Sequence, residues 1–303
     1  MSAPVRRFLG ATAVLVVLGA VWTGVAIAVL GSVEGGPARI QANDRPGPNP
    51  PVAAFMLRES EDPMYRWAER NDLIAHGMGG VDGVPVTNSR EALAQNYAAG
   101  YRVFEVDFEV TRDGHVVARH NWERSASPGQ QSPADGVPTL ADFRKMRIRG
   151  EYTPLALDDV LGFMRRYPDI YIMTDIKPRD LDEQMGALDG ISEALGSDKA
   201  LRERFVVQIY DGSELNYVRS KGFREVVYTF YRLRTTPEAA LDFCEREHIR
   251  FVTIPKKRAT AEFVRDIRAR GLWCAVHTVN DANEARVLRA RGVTHLYSDS
   301  MCP

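Results

Sequence analysis

Residues Val103–His120, VFEVDFEVTRDGHVVARH, organise the chain that surrounds them. The first half reads as a strand, and because side chains alternate with period two, Glu105 and Asp107 stand on one face. The dipeptide Asp113–Gly114, between Val103–Thr111 and His115–His120, favours a tight two-residue hairpin turn. Such a turn fixes the register: facing residue numbers sum to a constant, which sets Asp107 opposite His120. Facing Cβ atoms in such a pair sit roughly 4.5–5.5 Å apart. Two carboxylates and an imidazole then converge on one patch. Alone, that patch is either a solvated hairpin face or a hard-cation site beside an acid–base histidine, since paired carboxylates suit Mg²⁺ or Ca²⁺.

On either side of this stretch, short apolar runs alternate with amphipathic ones. The runs predict strands at Leu73–His76, Val103–Val110, Ile170–Lys177, Phe205–Tyr210, Glu225–Tyr231, Phe251–Pro255, Leu272–Val279 and Thr294–Asp299. Helical periodicity falls between them, at Ser89–Ala99, Leu157–Tyr167, Leu181–Leu195, Gly212–Lys221, Pro237–Glu247, Thr260–Arg270 and Asn280–Arg291, with a further helix at Leu57–Arg70. Thr236–Pro237 is a polar cap before a helical first turn, and Gly100, Gly222, Gly271 and Gly292 each follow a helical run. Eight strands alternating with helices predict a (β/α)₈ TIM barrel, with a doubly wound open sheet as the alternative. No GxGxxG follows the first strand, so a dinucleotide-binding fold gains no support. Chemistry in a barrel of this kind gathers where strands end. The polar residues at those ends are His76, Glu105, Asp107, Asp175, Lys177, His277 and Asp299. Their accumulation on one rim favours a functional site over unrelated strand-end ion pairs.

The 303 residues are 45% hydrophobic, enough for one large domain plus an appendage. A net charge of −1 advertises no polyanion-binding surface, and no nucleic-acid partner is expected. Cys244, Cys274 and Cys302 form no CxxC pair, so a zinc site is not expected and at most one disulfide can form. Phe8–Leu30 is an apolar run without a charge, preceded by Arg6 and Arg7 and long enough to span a bilayer. The expected organisation is a cytoplasmic tail (1–7), a transmembrane signal-anchor helix (8–31), a Pro/Gly-rich linker (32–56) and a barrel domain (57–303). A cleavable signal peptide ending near Ala26-Ile27-Ala28 is the competing reading. Either way the barrel is expected outside the cell membrane, single-pass anchored or secreted.

LIAHG, TNSREAL, GYRVFEVDFEVTRDGHVVARH, IMTDIK and HTVND…RGVTHLYSD, in that order, resemble the glycerophosphodiester phosphodiesterase superfamily across nearly all of Asp72 to Asp299. That superfamily of (β/α)₈ enzymes also includes relatives resembling phosphatidylinositol-specific phospholipase C and sphingomyelinase D. The resemblance implies that His76 and His120 exchange protons with a phosphodiester, and that Glu105, Asp107 and Asp175 hold a divalent cation, Mg²⁺ or Ca²⁺. It implies that Lys177 holds a phosphate oxygen and that His277 lines the substrate pocket.

The departures bear on substrate more than on reaction. Where the family has His-Arg-Gly, this chain has His76-Gly77-Met78-Gly79-Gly80, so an arginine donor is missing. Either the amides of the Gly-rich loop or another basic side chain must replace it. Glu-Asn-Thr becomes Thr87-Asn88-Ser89, and His-Asp becomes His120-Asn121. The leading expectation is a metal-dependent phosphodiesterase acting on glycerophosphodiesters or related phospholipid head groups. A phospholipase D- or C-like enzyme releasing a cyclic phosphate, and a non-catalytic barrel binding envelope glycans or lipids, are the alternatives. His115 and His248 read as surface residues, and His295 falls at the opposite rim. Lys256-Lys257-Arg258 faces the active side as either a head-group contact or a solvated loop, and Gln208 and Tyr228 line either pocket or core.

Overall fold

Runs such as Val103–Val106 and Phe251–Ile254 are three-quarters apolar and buried at every position, as strands covered on both faces are. In the computed structural model, which describes residues 64–122, 136–176 and 181–303, they become the staves of a closed barrel. The strands are β1 Leu73–Ala75, β2 Val103–Val110, β3 Val116–Ala118, β4 Tyr171–Asp175, β5 Phe205–Ile209, β6 Glu225–Thr229, β7 Phe251–Pro255, β8 Trp273–His277 and β9 His295–Ser298. Around the ring the order is β1-β2-β4-β5-β6-β7-β8-β9, all parallel, and β1 closes it by pairing with both β9 and β2. The open-sheet alternative is thereby excluded. β3 lies outside the ring, antiparallel to β2.

Helices α1 Arg66–Arg70, α2 Arg90–Ala98, α3 Leu140–Phe143, α4 Leu157–Arg166, α5 Leu181–Leu195, α6 Lys199–Arg202, α7 Leu215–Ser220, α8 Pro237–Arg246, α9 Ala261–Ala269 and α10 Ala282–Ala290 fill the crossovers. Their starts are chemically marked. Ser89, Thr236, Thr260 and Asp281 each accept the backbone N–H three residues on, satisfying a donor that the first turn leaves open.

Two apolar layers result. One lies between strands and helices; the other fills the barrel with Ile74, Val103, Met173, Val206, Val227, Phe251, Ala275 and Tyr297. Tyr65 and Trp67 close that inner layer where the strands begin. They are tied there by Glu225, whose carboxylate accepts the Tyr65 N–H at 2.9 and 3.0 Å and the Trp67 indole N–H at 3.2 Å. The chemistry is thereby confined to the other end.

The hairpin departs from the expected register. Observed pairs are Phe108 with Ala118, Glu109 with Val117 and Val110 with Val116, one residue away from the two-residue-turn pairing. Thr111 N–H donates to His115 O at 2.8 Å, so the loop holds three residues, with Gly114 at φ +83° in the left-handed position that closes a three-residue loop. Arg119, not His120, then stands level with Asp107, and its N–H donates to Asp107 O at 2.8 Å.

No helix among the described residues is long and apolar enough to cross a membrane. The expected tail, signal-anchor and linker lie outside the described residues, as does the expected helix at Leu57–Arg70 before its last turns. Cys244 and Cys274 are buried free thiols and Cys302 is an exposed one, so no disulfide links them.

Candidate active site

Period two carries the barrel interior from apolar to polar within one step. Two residues beyond Val103, Met173, Val206, Phe251, Ala275 and Tyr297 come Glu105, Asp175, Gln208, Thr253, His277 and Asp299, and Ile74 is followed by His76. One further step along β2 adds Asp107.

Glu105, Asp107 and Asp175 each bring one carboxylate oxygen within 4.8 Å of the others. The β2–β4 register makes Asp107 and Asp175 direct neighbours. Each acid is held by its own donor. The Gly77 N–H reaches Glu105 Oε2 at 2.6 Å. Asn88 embraces Asp107, donating from Nδ2 to Oδ2 at 2.8 Å while its Oδ1 accepts the Asp107 N–H at 3.1 Å. The Tyr210 hydroxyl donates to Asp175 Oδ1, and burial followed by the Asp175 charge keeps that phenol well above its ordinary pKa. Burial first, then the charges of Asp107 and Asp175, push Glu105 up to about 8 against the opposing pull of His76. Three hard oxygen donors crowded to that degree fit a divalent cation such as Mg²⁺ or Ca²⁺, whose charge relieves the repulsion.

The two histidines flank these acids differently. His76 Nδ1 lies 2.8 Å from Asp299 Oδ1. Asn280 fixes that carboxylate, donating to Oδ2 at 2.7 Å and accepting the Asp299 N–H at 2.8 Å. Burial alone would lower the His76 pKa, but the Asp299 hydrogen bond and the fields of Glu105, Asp299 and Asp107 outweigh it and raise it to about 9. Burial in turn works to raise Asp299, and the hydrogen bond and charge of His76 hold it below the usual carboxylate range. His120 Nε2 stands 4.0 Å from Asp107 Oδ1, and its Nδ1 lies 3.2 Å from Asn121 Nδ2. His120 gets there by leaving the ladder after Ala118, rather than by facing Asp107 across it.

His277 ends β8 on the same rim, its ring 5.7 Å from that of Tyr231 and 6.0 Å from that of Tyr297. Lys177 lies outside the described residues. The amides expected to stand in for the missing arginine are already engaged: Gly77 by Glu105, Gly79 by His76 O at 2.8 Å and Gly80 by Asp299 O at 2.5 Å. Lys256 is committed to Glu284 at 3.0 Å. Gln208 sits inside the barrel and accepts from the Tyr297 hydroxyl at 3.3 Å, whereas Tyr228 packs outward against Phe230 and Phe243. His115 and His248 are exposed, and His295 is buried at the opposite end. Sequence reasoning missed the roles of Asn88, Tyr210 and Asn280. Asn88 showed only as the middle of an altered tripeptide, and nothing near Tyr210 or Asn280 marks either as a partner of an acid.

The family model for the glycerophosphoryl diester phosphodiesterase family matches residues 79–302, a span holding Glu105, Asp107, His120, Asp175 and His277 and starting three residues after His76. No curated protein matches the chain. Among solved structures, the chain is similar to a putative glycerophosphoryl diester phosphodiesterase from Silicibacter pomeroyi, at 19% identity and TM-score 0.63, over 76% of this chain and 90% of that one. It is similar to an Oleispira antarctica phosphodiesterase in complex with the product sn-glycerol-3-phosphate, at 18% identity and TM-score 0.60, over 77% and 95%. A Thermotoga maritima glycerophosphodiester phosphodiesterase is similar at 21% identity and TM-score 0.57, over 76% and 94%. These likenesses restate the barrel, and the family match, which spans well over half of the sequence, adds what the barrel alone cannot: the chain belongs to the glycerophosphoryl diester phosphodiesterase family.

Proposed function

We propose that this member of a phosphodiesterase family hydrolyses glycerophosphodiesters with the aid of one divalent cation and two histidines. The observation that carries the reading is the approach of three carboxylate oxygens within 4.8 Å at the barrel rim, with an imidazole on either side. Glu105, Asp107 and Asp175 would hold the cation, and when bound it would supply Lewis-acid stabilisation of charge on the phosphoryl oxygens. Asn88, Gly77 and Tyr210 each hold one oxygen of an acid and so fix the orientation of the three carboxylates. His76, kept protonated by Asp299, is the group that donates to the leaving alkoxide; His120 accepts the proton of the attacking water, whose oxygen forms the new bond to phosphorus as the bond to the alkoxide breaks. Lys177 would hold a phosphate oxygen, and His277 with Tyr231 would wall the alcohol side.

The Oleispira relative, which holds glycerol phosphate as product, supports glycerophosphodiesters as the substrate class. The test is turnover of glycerophosphocholine with and without EDTA, followed by phosphorus NMR of the product. The expected result is a linear glycerol phosphate, formed only with Mg²⁺ or Ca²⁺, at a rate lowered about 10²–10⁴-fold, to a measurable residue, in His76→Ala and in His120→Ala. Metal-independent turnover would remove the three acids from their role, and a cyclic phosphate as end product would make the site a lyase. The apolar run Phe8–Leu30 supports a membrane-anchored enzyme with the barrel outside; recovery of the full chain in carbonate-washed membranes tests it.

A further inference from the structure

We infer that Arg119 is a positioning residue for His120, acting through a brace made of residues 119–122. His120 follows the last ladder residue of β3, Ala118, by two positions. Its neighbours on both sides are fastened. The Arg119 N–H is tied to Asp107 O at 2.8 Å, and its Nε donates across His120 to Asn121 O at 2.6 Å. Its guanidinium lies over the Trp122 ring, 4.7 Å from the centroid. The Trp122 indole N–H then returns to β2 at Val110 O, 3.0 Å away, while the ring meets Phe143 edge-on at 5.9 Å. Residues on both sides of His120 are thus clasped to each other, and the clasp is fastened to the strand that carries Glu105 and Asp107.

Arg119 is only 2% exposed. Burying a guanidinium carries a desolvation cost, and here its geometry is what the brace uses: a planar cation that stacks on an indole while donating in-plane to a carbonyl. A lysine can supply the charge but not that combination. The 4.0 Å separation of His120 Nε2 from Asp107 Oδ1 is the distance the brace sets. A shift of about 1 Å in a reacting group costs on the order of a hundredfold in rate.

The inference rests on the proposed proton-transfer role of His120, and the experiment separates the two. The full chain is assayed with saturating Mg²⁺ on glycerophosphocholine as wild type, Arg119→Met, Arg119→Lys, Trp122→Phe, His120→Ala and the double variant of Arg119→Met with His120→Ala. Arg119→Met is expected to lower kcat about 10- to 100-fold with KM within about twofold, since orientation and not binding is lost. Arg119→Lys and Trp122→Phe should lose kcat in the same direction, and Mg²⁺ affinity by calorimetry should be unchanged. In the His120→Ala background, Arg119→Met should cost nothing further. An equal loss in that background, a rise in KM at constant kcat, or wild-type turnover in Arg119→Met each overturns the inference. If Arg119→Met does not fold, the same cycle is run with Arg119→Lys and Trp122→Phe. Full activity in His120→Ala overturns the catalytic reading itself, whatever the Arg119 variants do.

Discussion

Asn88 spends its whole side chain on Asp107, as donor to one carboxylate oxygen and acceptor from the backbone, and it is fully buried. Asn88→Ala should therefore leave the barrel folded yet weaken Mg²⁺ binding by roughly 10–100-fold, as loss of a ligand's outer partner does; calorimetric titration checks it, and unchanged affinity would contradict the ligand role of Asp107. Gly77 stands where the resemblance leads us to expect an arginine. Its φ is +53°, and a Cβ there would lie 2.7 Å from Val86 Cα, so this position has no room for a side chain. Crowding at Glu105 gives a prediction with a definite sign. A carboxyl whose folded pKa is raised to about 8 contributes fully below its ordinary value and loses that contribution as pH rises through the folded one. Without metal, Glu105→Gln should exceed wild type in urea stability at pH 8 by on the order of a few kcal/mol, with the gap closing by pH 5. Saturating Mg²⁺ should reverse the order, since only the carboxylate holds the ion. A metal-free wild type as stable as the variant at pH 8 would mean the acids do not repel one another as the geometry requires.

Elements were legible in the sequence where a run is long and its caps are polar. β2 at Val103–Val110 and β7 at Phe251–Pro255 have the expected bounds, and α8 starts after Thr236, the cap that marks it. The one-turn helices α3 and α6 were not legible, because four residues carry no period. The hairpin was half legible. Asp113–Gly114 marks the turn, but a loop of two residues and one of three share that dipeptide, and only the Thr111–His115 closure separates them. The site survived this one-residue error because His120 is placed by the brace beyond the ladder. The roles of Asn88 and Tyr210 were not legible, since each depends on contact between segments far apart in sequence. Gly114→Ala tests the observed loop: the residue has φ +83° and open space around a new Cβ, so only backbone strain remains. The expected cost is roughly 1 kcal/mol, or a few degrees in Tm, with kcat unchanged. A neutral substitution would mean Gly114 is not held in the left-handed region.

The whole barrel divides its titrating groups between two ends, and the ends respond oppositely to pH. At the end away from the site, His295 is 2% exposed, packs its ring 4.8 Å from Phe251, and shares its Nε2 with Ala68 O at 2.8 Å. Burial holds its pKa down at about 4, so the folded barrel keeps this imidazole neutral where an unfolded chain would protonate it. Between about 4 and 6.5 the unfolded state binds the extra proton, so stability is complete above 6.5 and falls as pH drops toward 4. The loss amounts to on the order of 3 kcal/mol. Gln at this position can still donate to Ala68 O but cannot titrate, so His295→Gln should flatten the pH dependence of the urea midpoint in that window while leaving the Mg²⁺-dependent part at the other end intact. Because Ala68 belongs to the segment that seals the strand starts with Tyr65 and Trp67, acid should release the plug before it opens the site. Protection of the Tyr65 and Ala68 amides in hydrogen exchange should therefore fall between pH 6.5 and 4 in wild type and persist in His295→Gln. Equal loss in both would place the acid sensitivity elsewhere in the barrel.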